Sequence, residues 1–230
     1  MTFTRFATAA LAACLPALAA AQGFSGAELS VETGLSSDGG DIGTAIYGAS
    51  LEFGLMQRIA VAADLSHIGF GAFGSDARNA TLRGIYQLGD GVALGFFAGQ
   101  ERLDSFDATF YGLEGATDLG AGRIEGYLMQ SQGGASDGHI IGVSGAYDFS
   151  ASLSAIGSLD VAEMDTSARR ISVGGEYRLP GGPAVFAEIG QEDADGDAEI
   201  FLSLGARIGI GMQGGTTFGR RSIADLLPGY

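Results

Sequence analysis

The chain has 230 residues, with 27 acidic side chains against 12 basic ones, all of them arginine, for a formal net charge of −15. Forty residues are Gly, 4 are Pro, 46% are hydrophobic and only 17% are charged. This is too apolar for a disordered acidic tail, too irregular in Gly and too poor in Pro for a collagen, and too acidic for a nucleic-acid-binding face.

Residues 1–21 read MTFTRFATAALAACLPALAAA. Arg5 precedes a short apolar run broken by Pro16, and Ala19-Ala20-Ala21 ends it. A basic start, a short apolar middle and small residues at the end make a secretory signal peptide, with cleavage expected before Gln22. A competing reading takes Leu11-Ala12-Ala13-Cys14 as a lipoprotein box. Beyond residue 21 there is no cysteine, so no disulfide is available there. No apolar run comes near the ~20 residues of a membrane helix. The expected product is either a soluble periplasmic protein or an outer-membrane barrel.

Periodicity chooses between them. From Ala45 to Phe53, the residues Ala45, Tyr47, Ala49, Leu51 and Phe53 alternate with Ile46, Gly48, Ser50 and Glu52. The same two-residue period recurs along the chain, and a period of two puts each set on one face of a strand. It predicts twelve strands: 27–35, 44–54, 59–70, 79–89, 92–103, 108–117, 123–132, 139–149, 153–163, 168–179, 184–190 and 199–210. One face is aliphatic and aromatic. The other is small and charged, carrying Glu52, Asp64, Arg83, Glu101, Glu125, Asp148, Asp160, Glu176, Arg178 and Arg207. A transmembrane barrel turns its apolar face to lipid and its polar face to the lumen. The expected fold is therefore an all-β, antiparallel, up-and-down transmembrane β-barrel of about 12 strands over 22–210. Residues 211–230 would follow as a periplasmic C-terminal tail.

A weak repeat supports this. GASLEFGLMQ, GIYQLGDG, GAYDFSAS and GEYRLPGG each end an even-numbered strand and place Phe53, Tyr86, Tyr147 and Tyr177 at the same height. Aromatics at one height suit an interfacial girdle. Connections after even strands are tight and together carry one net negative charge, whereas those after odd strands are mostly longer and carry ten. Bacterial barrels keep short turns on the periplasmic side, so the acidic loops should face outward and both termini the periplasm.

Tyr111-Gly-Leu-Glu-Gly-Ala-Thr-Asp-Leu-Gly-Ala-Gly122, continuing into RIEGYLMQ, resembles the strand–turn–strand motif of Gram-negative general porins. GAYDFSASLSAIGSLD (145–160) is similar to their later hairpins. Ser203-Leu-Gly-Ala-Arg-Ile-Gly-Ile210 looks like the last-strand signal that such proteins present to the barrel-assembly machinery. The resemblance implies an outer-membrane location among lipid and lipopolysaccharide, and passive diffusion of small hydrophilic solutes or ions. Porins of that family usually have sixteen strands, form trimers and fold a long loop into the pore. This chain is too short for sixteen such strands and has no loop of that length; monomer and trimer are both compatible with it.

The excess of acid on the polar face predicts mild cation preference if a water path exists. Two other readings compete: a non-conducting structural or surface-interaction barrel and, more distantly, a lipid-modifying barrel enzyme. The enzyme would need a Ser activated by His. The two histidines, His67 and His139, alternate onto the opposite face from Ser66 and Ser144, so no catalytic residue and no cofactor is assigned. Gln191–Glu199 reads QEDADGDAE, and Asp193, Asp195, Asp197 and Glu199 could hold a weak Ca²⁺ on a Gly-containing loop. A solvated acidic loop explains the same residues. Arg220-Arg221 could contact inner-leaflet phosphates, and Ile223 with Leu226-Leu227 could pack at the interface or plug the periplasmic mouth; an ordinary flexible terminus explains the same residues. Arg169-Arg170 could meet lipopolysaccharide phosphate at the outer rim or form a surface ion pair.

Overall fold

The computed structural model describes residues 23–36, 42–71, 74–103, 106–133, 137–165, 167–194, 196–211 and 214–226. The expected signal segment, and the lipoprotein-box reading of Cys14, lie outside them. Twelve strands run in chain order: β1 Gly23–Ser36, β2 Ile42–Met56, β3 Ile59–Phe70, β4 Ser75–Gly89, β5 Val92–Leu103, β6 Phe106–Leu119, β7 Gly122–Gln132, β8 Gly138–Asp148, β9 Leu153–Glu163, β10 Ser167–Arg178, β11 Pro183–Ala194 and β12 Asp197–Gly211. Each pairs antiparallel with its sequence neighbour, and β1 pairs with β12 from Gly26↔Gly211 to Ser36↔Phe201, closing the barrel.

The alternation read from the sequence becomes the inside and outside of this wall. Leu113 and Val173 are each 61% exposed, and Leu51, Leu82, Leu94, Leu128, Ile141, Ile189 and Leu204 also face outward. An apolar surface this continuous is far larger than a soluble monomer tolerates. It is instead the lipid-facing belt of a transmembrane barrel, in which closure leaves no unpaired strand edge in hydrocarbon. Between these residues, Asp64, Thr81, Glu101 and Glu176 point inward and are buried.

Both ends of the wall, Gly23 and Gly211, lie at the rim that carries the connections 57–58, 90–91, 120–121, 149–152 and 179–182, here called the turn rim. At Asp90-Gly91 the two-residue turn is possible because Gly91 takes φ 76°, a conformation that costs glycine little. The opposite, loop rim carries 37–41, 71–74, 104–105, 133–137, 164–166 and 195–196. These loops are shorter than the charge pattern predicts, because the acidic residues continue the strands. Arg102 reaches Asp107 across the β5–β6 hairpin with two hydrogen bonds of 2.5 and 2.7 Å.

The largest departure concerns the end of the chain. The described part of the expected periplasmic tail, residues 214–226, does not trail away from the barrel. Gly214, at φ 71°, reverses the chain after β12, and residues 216–226 enter the lumen. The segment ends in a 3-10 turn, Ala224–Leu226. Phe218, Arg221, Ser222, Ile223, Ala224 and Leu226 are all buried. Sequence periodicity gave no sign of this, because the segment contacts the wall on several sides and follows neither a strand nor a helix period.

The exterior belt generates a stability prediction. Leu113→Arg, midway along β6, should cost ~2–4 kcal/mol, whereas the same change at Phe149, beside the turn rim, should cost ~0–1 kcal/mol. Denaturant unfolding in phospholipid vesicles would compare the two.

Candidate functional site

The lumen is the candidate site. All ten residues expected to line it, Glu52 through Arg207, do face inward. Apart from Asp160, which accepts a hydrogen bond from Tyr127, they divide into two groups, one engaged directly or through Arg83 with the C-terminal segment and one gathered at the turn rim. The second group includes Arg178, which pairs with Asp148 at 2.9 Å and with Glu176 at 3.3 Å; Arg207 also pairs with Glu176.

The first group holds the segment along its length. Near the turn rim, Glu52 accepts hydrogen bonds from Thr217 N at 2.7 Å and Thr217 Oγ1 at 3.0 Å. Phe218 packs among Ala60, Ala62, Ile85, Ala93 and Ala116. Burying a ring of this size contributes about 1.5–3 kcal/mol. Arg83 donates to the carbonyls of Phe218 at 3.0 Å and Gly219 at 2.5 Å. Its guanidinium also lies 3.1 Å from Asp64 and 3.2 Å from Glu114, close enough for ion pairing although neither contact is aligned as a hydrogen bond.

At mid-depth, Arg221 pairs with Glu114 at 3.0 Å and also with Glu125, and its guanidinium sits 4.3 Å above the Tyr127 ring. Glu125 further accepts Gly219 N at 3.0 Å. Higher up, Glu101 accepts Ser222 Oγ at 2.8 Å, Ile223 N at 3.0 Å and Ala224 N at 2.6 Å, while Asn79 steadies it at 2.8 Å. It thus caps the start of the 3-10 turn, whose first N–H groups have no internal acceptor. Ile223 and Leu226 join Phe97, Phe110, Met129 and Ile140, and Ala224 joins Ile46, Ile68 and Phe70. Arg170 donates to Asp225 O at 2.8 Å, pairs with Glu192 and lies 4.1 Å from the Phe201 ring.

Several expectations are corrected by these contacts. Arg220 and Arg221 lie inside the lumen, where Arg220 pairs with Asp225 at 2.8 Å, and so do not face membrane phosphates. Arg170 also points inward; only Arg169 is exposed on the outer face. Among the described residues, strand parity separates the carboxylates of the calcium reading. Asp193 faces outward opposite Ala198, whereas Glu199 lies opposite the inward Glu192, so alternation splits the carboxylates between two faces. Asp195 lies outside the described residues, and among those described no cluster of three metal-ligating side chains forms. Asp193 Oδ1 instead accepts Gly196 N at 3.1 Å, shaping the turn. His67 lies 3.7 Å from Asp76 and stacks beside Tyr47 on the outer face, while its neighbour Ser66 faces the lumen.

Sequence reasoning missed Glu114, although its place between the outward Leu113 and the strand Gly115 was a readable signal. It also missed Glu28, Glu32, Arg123, Glu188 and Glu192. The four girdle aromatics do share the turn rim: Tyr86, Tyr147 and Tyr177 are exposed on the outer wall, and Phe53 packs edge-on against Phe24 at 6.0 Å.

The segment does not fill the lumen. A cavity of about 390 Å³ remains beside it, lined by Glu28, Arg123, Tyr127, Asp160, Glu188 and Arg207 among others. Tyr127 donates to Asp160 at 2.8 Å and Ser172 to Glu188 at 2.6 Å.

Arg83 joins wall to wall and wall to segment. Arg83→Met should lower stability by about 3–5 kcal/mol, because Asp64 would stay buried with no cation and Glu114 would keep only Arg221. Unfolding in detergent micelles, monitored by loss of β-sheet circular dichroism, would measure it.

No protein-family model matches this chain, and no characterised protein matches it by sequence. Solved structures do match. The KdgM porin superposes with a TM-score of 0.61 at 8% identity, covering 78% of this chain and 97% of that one. The NanC porin gives 0.62 at 8% identity, covering 77% and 98%. An outer-membrane channel from Pseudomonas putida F1 gives 0.54 at 9% identity, covering 82% and 96%. At such identities the likeness lies in the fold, and the fold of this chain is the closed β-barrel of the outer-membrane porins.

Proposed function

We propose that the chain is a porin-like outer-membrane protein that lets small hydrophilic solutes or ions cross passively. The observation that carries this reading is the inverted wall: an aliphatic exterior around a charged lumen that retains a cavity of about 390 Å³. The turn rim, with both ends of the wall and the shorter connections, would face the periplasm.

The charge of the wall favours cations. Inward carboxylates outnumber inward arginines by more than two to one. Among the described residues, Glu28, Asp160 and Glu188, all at the cavity, form no ion pair with an arginine. One structure of KdgM was determined with an oligogalacturonate, a polyanion. The present lumen has the wrong sign for such a ligand.

A second reading, a non-conducting structural or surface-interaction barrel, is favoured by the segment that occupies much of the lumen. Planar-bilayer recording separates the two. The channel reading expects a small conductance whose reversal potential in a salt gradient shows cation preference. Anion selectivity would overturn the charge argument, and complete absence of current under all conditions would favour the structural role.

A further inference from the structure

We propose that residues 216–226 are an autoinhibitory plug, and that the barrel wall is a fitted seat from which this plug can withdraw. The inference rests on the channel reading above and adds to it a closed and an open state.

The fit is visible first in the backbone. A chain segment running through a lumen has no neighbouring strand to satisfy its N–H and C=O groups, and leaving them unpaired would be costly. Here the wall supplies side chains in their place. Glu52, Glu125 and Glu101 accept the N–H groups of Thr217, Gly219, Ile223 and Ala224. Arg83 and Arg170 donate to the carbonyls of Phe218, Gly219 and Asp225. These wall residues come from five different strands, and each is spent on a plug atom rather than only on its neighbours.

The fit is visible again in the glycines. A Cβ on Gly209 would overlap the carbonyl of Gly214, and a Cβ on Gly26 would overlap that of Gly215. These two wall positions, on adjacent strands at the turn rim, leave the doorway through which the segment enters. A Cβ on Gly95 would come within 2.9 Å of the Phe218 ring. Absent side chains at the points of closest approach make a mould of the segment.

The seat is also one the segment can leave. Its contacts are mainly charged or hydrogen-bonded, and the wall groups that make them line a lumen that water would enter on withdrawal. Those carboxylates and arginines would then exchange plug partners for water and for one another. The apolar contacts given up are those of Phe218, Ile223, Ala224 and Leu226. Two packings of comparable free energy are what a two-state element requires.

The test compares the full chain with a variant ending at Gly211, both refolded into planar bilayers. The truncated barrel should conduct roughly fivefold or more above the full chain, since twelve strands without a filling segment enclose a wider lumen. Equal, non-zero conductance would overturn the plug. Silence from both, with the truncated protein still showing barrel circular dichroism, would instead overturn the channel reading on which the plug rests. If the truncated chain fails to fold, Gly209→Val in the full chain blocks the doorway and should raise conductance in the same direction; unchanged current would count against the proposal. Ser222→Cys gives a second readout. A membrane-impermeant thiol reagent should label it severalfold faster in the Gly209→Val background than alone, and equal rates would reject a displaced state.

Discussion

The structure depends on one constraint: within hydrocarbon, every backbone N–H and C=O must find a partner inside the protein. A sheet meets that demand only by closing, so β1 must meet β12. Closure turns the two faces of each strand into an outside and an inside, and the solvent of each side then selects the residues. Lipid admits Leu113 and Val173 on one face. The enclosed lumen admits Asp64 and Glu101 on the other.

A lumen built this way carries its own difficulty. Twelve strands are too few for a wide aqueous channel, and carboxylates crowded into a narrow space repel one another and lose hydration. The C-terminal segment answers both problems. Arg221 pairs with both Glu114 and Glu125, and Arg83 links Asp64 and Glu114 to the carbonyls of the segment. Glu101 is occupied by backbone N–H groups and needs no cation at all. The charges are thus arranged as a connected network that spans wall and filling.

How much of this was legible in the sequence follows from which interactions are local. Strand alternation is a property of neighbours two residues apart, so the twelve strands, their faces and the ten inward charges could be read directly. The Leu119–Gly122 turn stood in the porin-like motif, and Gly120 adopts the positive φ, 68°, that such a turn needs. The acidic loop rim was misjudged because charge was taken as a loop signal, whereas Asp107 and Glu192 are strand residues with arginine partners across the hairpin or the sheet. Ile223 and Leu226 suggested a plug at the periplasmic mouth, but the passage of the segment through the lumen could not be read. Thr217 meets Glu52 and Ser222 meets Glu101, pairings between distant parts of the chain that no local pattern encodes.

Those distances along the chain bear on how the molecule matures. Every strand pair except β1–β12 joins consecutive strands, so most of the wall is made of short-range contacts, which form with little loss of chain entropy. The contacts of the segment with Glu125, Glu101 and Glu52 span 94 to 165 residues. Their partners converge from separate strands and do not exist as a site until the seam is shut. The seat is therefore a property of the closed wall as a whole and of no single hairpin.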